Sequence, residues 1–128
     1  MTDWRTMRNA DTGAVLLERV RWCNSFWCRF RGLMMHRPLA PDEGLLIVFS
    51  SESATGASIH MFFMRFAIAA VWLDREFRVV HTALARPWRP YYAPPTPARY
   101  VLEAPPAVLE RVAVGDRFVF EAAEGAAG

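Results

Sequence analysis

The sequence predicts an α+β domain that is mostly β: a compact small barrel or half-open sheet of about six to eight short strands with two short helices. Three observations lead there. Short apolar runs recur along the chain, separated by clusters of Gly, Pro, Asp and Ser, which is the punctuation of an all-β or nearly all-β chain. Only two stretches carry helix-start signals. The 128 residues, 53% apolar and 22% charged, suit one domain with a single ordinary core rather than a disordered chain.

Taken in order, residues 1–13 are polar and mixed, and a loose start is expected. Ala14 to Trp22 reads as a first strand, with Val15 and Leu17 facing one way and Leu16, Glu18 and Val20 the other. Asn24 or Ser25 can cap a short helix running to Arg31, and Gly32 suits the left-handed position that ends it. Pro38, Pro41, Asp42 and Gly44 bound a loop, and Leu45 to Phe49 is an apolar run typical of a buried strand. Ser50 to Ala57 is small and polar, a flexible connection. Ser58 to Phe66 and Ile68 to Leu73 are further strands, and Asp74 to Phe77 turns the chain into Arg78 to Ala85 as a hairpin. Arg86 to Pro97 holds five prolines, so neither a helix nor a central strand forms there. Tyr100 to Glu103 is a short strand. Pro105 or Pro106 can start a second helix through Ala107 to Val112. Val114-Gly115-Asp116 turns into a last strand, Arg117 to Glu121, and residues 122–128 should fray. No repeat or linker divides the chain, so 1–128 reads as a single domain. Leu46, Val48, Phe63, Val71, Leu73, Val101 and Phe118 are the expected core.

Several functions are disfavoured at once. The longest apolar stretch, Phe66 to Leu73, has eight residues, and a membrane span needs about twenty. The N-terminus has no apolar signal core, and there are two cysteines, so a cytoplasmic protein with reduced thiols is expected. All fifteen basic residues are arginine, and codon bias explains this better than growth at high temperature. The net charge of +2 is weak for a nucleic-acid reader, so nucleic acid is an unlikely partner. No P-loop, Gly-x-Gly-x-x-Gly or His-Glu-x-x-His motif occurs.

Several stretches taken together carry a resemblance. They are Arg31-Gly-Leu-Met34, Asp42-Glu-Gly-Leu-Leu-Ile-Val-Phe49, Ile59-His-Met-Phe-Phe-Met-Arg-Phe66 with Ile68 to Asp74, and Tyr100-Val-Leu-Glu103 followed by Gly115-Asp116. In this order, from Ala14 to Phe120, the set resembles the domain-of-unknown-function 192 family of small bacterial and archaeal proteins. The resemblance implies a compact β-rich α+β fold and no particular reaction. The chain also departs from the pattern. His60-Met61 stands where many members have Trp-Met, and Ala67-Ile68-Ala69 stands where they carry Pro-x-Asp, so Ala69 replaces the family carboxylate.

Cys23 and Cys28 are five apart, and on a helix they would point about 140° from each other. A disulfide needs a non-helical loop, and a cytoplasmic setting disfavours it, so inert free thiols are expected. Neither cysteine spacing nor the three lone histidines write a metal site. His60 is the titratable residue of most interest: between aromatics and methionines it could act as a general base, or serve as a hydrogen-bonded residue at a sheet rim. His81 reads as an exposed strand residue. Asp42-Glu43 reads as a solvated turn, and Glu103 as the partner of an arginine such as Arg31. Met34, Met35, Met61 and Met64 read as core.

The most unusual string is Arg86-Pro-Trp-Arg-Pro-Tyr-Tyr92, in which arginines alternate with rings along a proline-stiffened loop. Arginine stacks on aromatic faces and forks onto carboxylates or phosphates. The string is either a recognition loop or an arm packed over the end of a barrel. The reading favoured is a soluble, non-catalytic binding module for a small anionic ligand or a peptide. Arg86, Trp88, Arg89 and Tyr91 would carry it, helped by His60 and by Arg29 and Arg31, with no cofactor and no metal. The rival is an enzyme, for example a hydrolase, with His60 as base and an arginine as anion clamp; a third is weak RNA binding.

Overall fold

The computed structural model describes residues 3–25, 28, 33, 37–54, 56–61 and 63–122. Seven strands form one sheet: β1 (Trp4–Asn9), β2 (Val15–Cys23), β3 (Glu43–Ser53), β4 (Ile68–Leu73), β5 (Val79–Ala85), β6 (Ala98–Ala104) and β7 (Phe118–Ala122). Their spatial order is β5-β4-β6-β3-β2-β1-β7. Every pairing is antiparallel except β2 with β3. Parallel neighbours cannot be joined by a tight turn, which explains the long connection over residues 24–42.

The two outer strands meet at one corner. Arg78 bridges Arg117, Val79 N donates to Asp116 O at 2.8 Å, and Phe118 N donates to Phe77 O at 3.1 Å. The sheet is thereby bent into a half-barrel, within the range of shapes expected. All seven strands send side chains to the core on its closed side, including Met7, Val20, Leu46, Val71, Leu102 and Phe118, and Val108 joins them from a 3-10 turn at Pro106–Glu110. A second core lies on the opposite face. There the connection between β3 and β4 lays Ala57, Ile59, Met61 and Met64 over Leu45, Ile47, Ala70, Trp72 and Val101. Two cores explain the continuous apolar runs. Leu45 and Ile47 face one core and Leu46 the other, while all six residues of β4 are buried. Leu46→Ala should therefore lower the unfolding free energy by about 2–5 kcal/mol in a urea titration; a change within surface scatter would contradict this placement.

Several expectations are corrected. The start is not loose: β1 is hydrogen-bonded between β2 and β7, with Met7 fully buried. Its polar letters hid it, because Arg5 stacks over Trp22 at 3.7 Å and Arg19 over Trp4 at 4.5 Å, so charged stems supply the packing. Residues 50–53 extend β3 rather than forming a flexible connection, and Glu52 Oε2 there accepts from Arg75 N at 2.8 Å. The described residues of Ser58 to Phe66 do not form a strand; among them only Ile59 makes a bridge, to Tyr92, and Phe63 has φ of 62°. Of the expected core, Leu46, Val71, Leu73, Val101 and Phe118 are buried, Val48 is half-buried and Phe63 is exposed.

The two short helices are not borne out. The second is a single 3-10 turn, because the chain leaves the helical path at Arg111, and Asp116 Oδ2 then accepts from Ala113 N at 3.0 Å to form the turn into β7. The first, from Asn24 or Ser25 to Arg31, falls mostly outside the described residues, although Ser25 Oγ accepts from Cys28 N at 3.2 Å as a cap would. Of the tail, Ala122 belongs to β7 and residues 123–128 lie outside the described set. Among the described residues no helix is long and apolar enough to cross a membrane.

Candidate functional site

The arginine–aromatic loop is clamped to the connection that covers the second core. Ile59 and Tyr92 exchange backbone hydrogen bonds of 2.8 and 2.9 Å. Trp88 N donates to Met61 O at 2.7 Å, and Met61 N donates to Arg89 O at 2.8 Å. Tyr92 Oη accepts from Arg86 N at 2.9 Å and closes the loop on itself. The side chains divide accordingly. Tyr92 packs against the core, whereas Trp88 and Tyr91 stand 57% and 61% exposed. Phe63, 52% exposed, lies with its ring 5.1 Å from that of Trp88. Trp88 and Phe63 both hold positive φ, 66° and 62°. Bulky residues adopt that conformation at a cost of about 1–3 kcal/mol, and only where their surroundings over-determine it. Around the rings, Arg65, Arg86 and Arg89 are exposed, and their guanidinium groups have no hydrogen-bond or ion-pair partner among the described residues.

The other expected site residues are dispersed. His60 is half-buried on the clamped segment, between two residues that face the core. Arg29 and Arg31 lie outside the described residues. His81 is half-buried rather than exposed, its ring 5.3 Å from that of Trp72. Met61 and Met64 are core, as expected, while Met34 and Met35 lie outside the described set. Ala69, at the family carboxylate position, is fully buried opposite Ala104 in the closed-side core.

The cysteines are not free: Cys23 and Cys28 form a disulfide with Cα atoms 5.6 Å apart. Cys23 ends β2 and is not on a helix, which leaves the non-helical geometry a disulfide needs, and the free thiols expected of a cytoplasmic setting are not found. Nor is Glu43 part of a solvated turn. It is buried, and its carboxylate accepts from Arg37 Nη1 and Nη2 at 3.1 and 3.2 Å and from Ala40 N at 3.1 Å. Burial alone would push this carboxyl up, but the Ala40 N–H and the charges of Arg37 and Arg19 outweigh burial and hold it below the usual range.

Glu103, on β6 between Leu45 and Ala70, is also buried, but its Oε1 has no hydrogen-bond partner among the described residues. Burial pushes its carboxyl up to about 7. Arg31, the arginine offered as its partner, lies outside the described residues. Phe63 and Arg65 are site residues that the sequence hides, because an alternating strand pattern conceals the backbone turn at Phe63.

The molecule is thus a two-cored β half-barrel that displays a clamped arginine–aromatic surface. The chain belongs to the DUF192 family, described as "Uncharacterized ACR", which it matches over residues 7–120. A UPF0127 protein of Thermococcus sibiricus is 39% identical over 120 residues, covering 91% of this chain and 75% of the relative. A UPF0127 protein of Pyrococcus furiosus is 37% identical over 113 residues, covering 87% and 94%. A suggested transcription regulator from Sinorhizobium meliloti 1021 superposes with a TM-score of 0.80 at 22% identity, covering 94% of both chains. A protein of unknown function from Novosphingobium aromaticivorans does so at 0.78 and 19%, covering 92% of this chain and 84% of that one. At such identities the two structures establish the shared fold and nothing more.

Proposed function

We propose that this protein is a non-catalytic binding module whose recognition surface is the Arg86–Tyr92 loop together with Phe63 and Arg65. One observation carries the reading: three exposed rings stand among three unpaired guanidinium groups on a backbone held by hydrogen bonds and by two positive-φ residues. Such a surface is already ordered, so little entropy is lost on binding. Of the two ligand kinds expected, an acidic peptide with aromatic side chains fits better than a small anion, because small molecules need enclosing sites and these rings stand more than half exposed. Carboxylates would take the guanidinium forks and the rings would stack on Trp88 and Tyr91.

The test is a nitrogen-15 NMR titration with a short peptide alternating glutamate and tyrosine, beside a uridine oligonucleotide. Saturable, salt-sensitive movement of the Trp88 indole N–H by the peptide is expected. The double variant Trp88→Ala, Arg89→Ala should lose this binding while its stability stays within about 0.5 kcal/mol of the parent, as for surface residues. A loss of about 3–5 kcal/mol on Trp88→Ala would mark a packed arm and overturn the reading. So would binding of the oligonucleotide alone, or no saturable response.

A further inference from the structure

A second site lies away from the loop and does not depend on it. Trp4, Arg21 and Leu45 stand side by side across β1, β2 and β3, since Trp4 pairs with Arg21 and Arg21 with Leu45. They share one face of the sheet, and Leu33, Arg37 and Leu39 of the β2–β3 connection stand over them. Between lies a groove of about 150 Å³, with Glu43 and Gly44 at its edge.

The charges in this groove do not balance. Glu43 is its one carboxylate among the lining residues, and it is already held by both Arg37 amino groups and by Ala40 N. Arg21 is half-buried, and the sole contact of its guanidinium among the described residues is Nη2 to Cys28 Sγ at 3.7 Å. The connection cannot supply the missing anion: residues 24–41 contain no aspartate or glutamate, but carry Arg29, Arg31 and Arg37. Arg19, stacked over Trp4, adds a further positive charge beside Glu43. A half-buried guanidinium with five donors, one weak sulfur contact and no counter-ion selects an anion. The walls decide which anion. Leu33, Leu39, Leu45 and Trp4 offer apolar surface on several sides, which suits a short hydrocarbon tail and leaves a phosphate poorly solvated.

We propose that this groove binds a short-chain monocarboxylate, its carboxylate forked by Arg21 and its tail against Leu33, Leu39 and Leu45. The disulfide holds Cys28 beside Arg21 and so limits where the guanidinium can point.

The probe is isobutyrate, titrated into the disulfide-intact protein while the Trp4 indole and Leu45 amide signals are followed by NMR. Isobutyramide, which has the same shape without the charge, and inorganic phosphate are the comparators. Saturable movement of both signals by isobutyrate is expected, with each comparator at least about tenfold weaker. Arg21→Met keeps the stem of the side chain and should lose binding by a similar factor, and Arg21→Lys should regain part of it. No saturable response to isobutyrate would overturn the proposal, as would an equal response to isobutyramide or phosphate, or unchanged binding by Arg21→Met. Should Arg21→Met fail to fold, isobutyrate against isobutyramide on the parent protein decides alone.

Discussion

Trp72→Ala should lower the unfolding free energy by about 3–5 kcal/mol. The indole is fully buried in β4, a strand covered on both faces, and fills the second core beneath the β3–β4 connection. Its Nε1 donates to Ala57 O at 2.7 Å, and Ala57 is itself fully buried, so the variant also leaves a carbonyl unpaired away from water. Trp72→Phe separates the two contributions: it retains most of the ring surface and loses the hydrogen bond. Urea titrations with unchanged slope would measure both. A loss below about 1 kcal/mol for Trp72→Ala would show that the second core does not bear on stability. The same indole underlies the recognition surface, because Ala57 leads into Ile59 and Met61, where the arginine–aromatic loop is clamped.

Glu103 should make the protein more stable in mild acid than in mild alkali. The folded state raises this carboxyl to about 7 from an ordinary value of 4.5, because burial removes water from the charged form. The folded protein therefore holds the proton more tightly than the unfolded chain. The associated stability is complete below pH 4.5, declines as pH rises, and is gone above 7. A shift of this size corresponds to roughly 3 kcal/mol at about 1.4 kcal/mol per pH unit. Glu103→Gln has no proton to lose, so its stability relative to the parent should rise between pH 5 and pH 8, by an amount on the order of that figure. Urea midpoints at the two pH values test this. A parallel response of both proteins would show that Glu103 ionises in the fold without cost.

What the sequence disclosed follows from how each element is stabilised. The first half of β3 and all of β4 are legible because they are buried on both faces and their letters are correspondingly apolar, whereas the half-exposed end of β3 is not. The turn at Asp74 is legible because an aspartate there accepts from its own loop: Asp74 Oδ1 takes Glu76 N at 2.8 Å and Arg78 N at 3.0 Å. β1 is not legible, since backbone pairing and stacked arginines hold it and only Met7 reaches the core. The segment from Ser58 to Phe66 alternates like a strand but turns at Phe63, and no local letter forbids that. The disulfide was hidden because two cysteines without a signal segment read as free thiols in a reducing compartment. For the site, the arginine–aromatic string stood out as composition, whereas its support from Ile59, Met61 and Phe63 depends on a pairing across the fold. Arg21 drew no notice because a missing partner becomes visible only once its neighbours are in place.

The position of β1 between β2 and β7 has a consequence for synthesis. The earliest described strand emerges from the ribosome far ahead of the latest, so one side of β1 stays unpaired until β7 has been made. Closure at the Arg78–Arg117 corner must wait equally long. Assembly that depends on contacts this distant in sequence is slow and leaves an open edge on the nascent chain. The waiting edge carries Arg5 and Arg8, and charge on an unpaired strand deters pairing with other chains. When β7 arrives, Arg8 finds Glu121 at 2.8 Å, and the residues that guarded the growing polypeptide become the ones that receive its final strand.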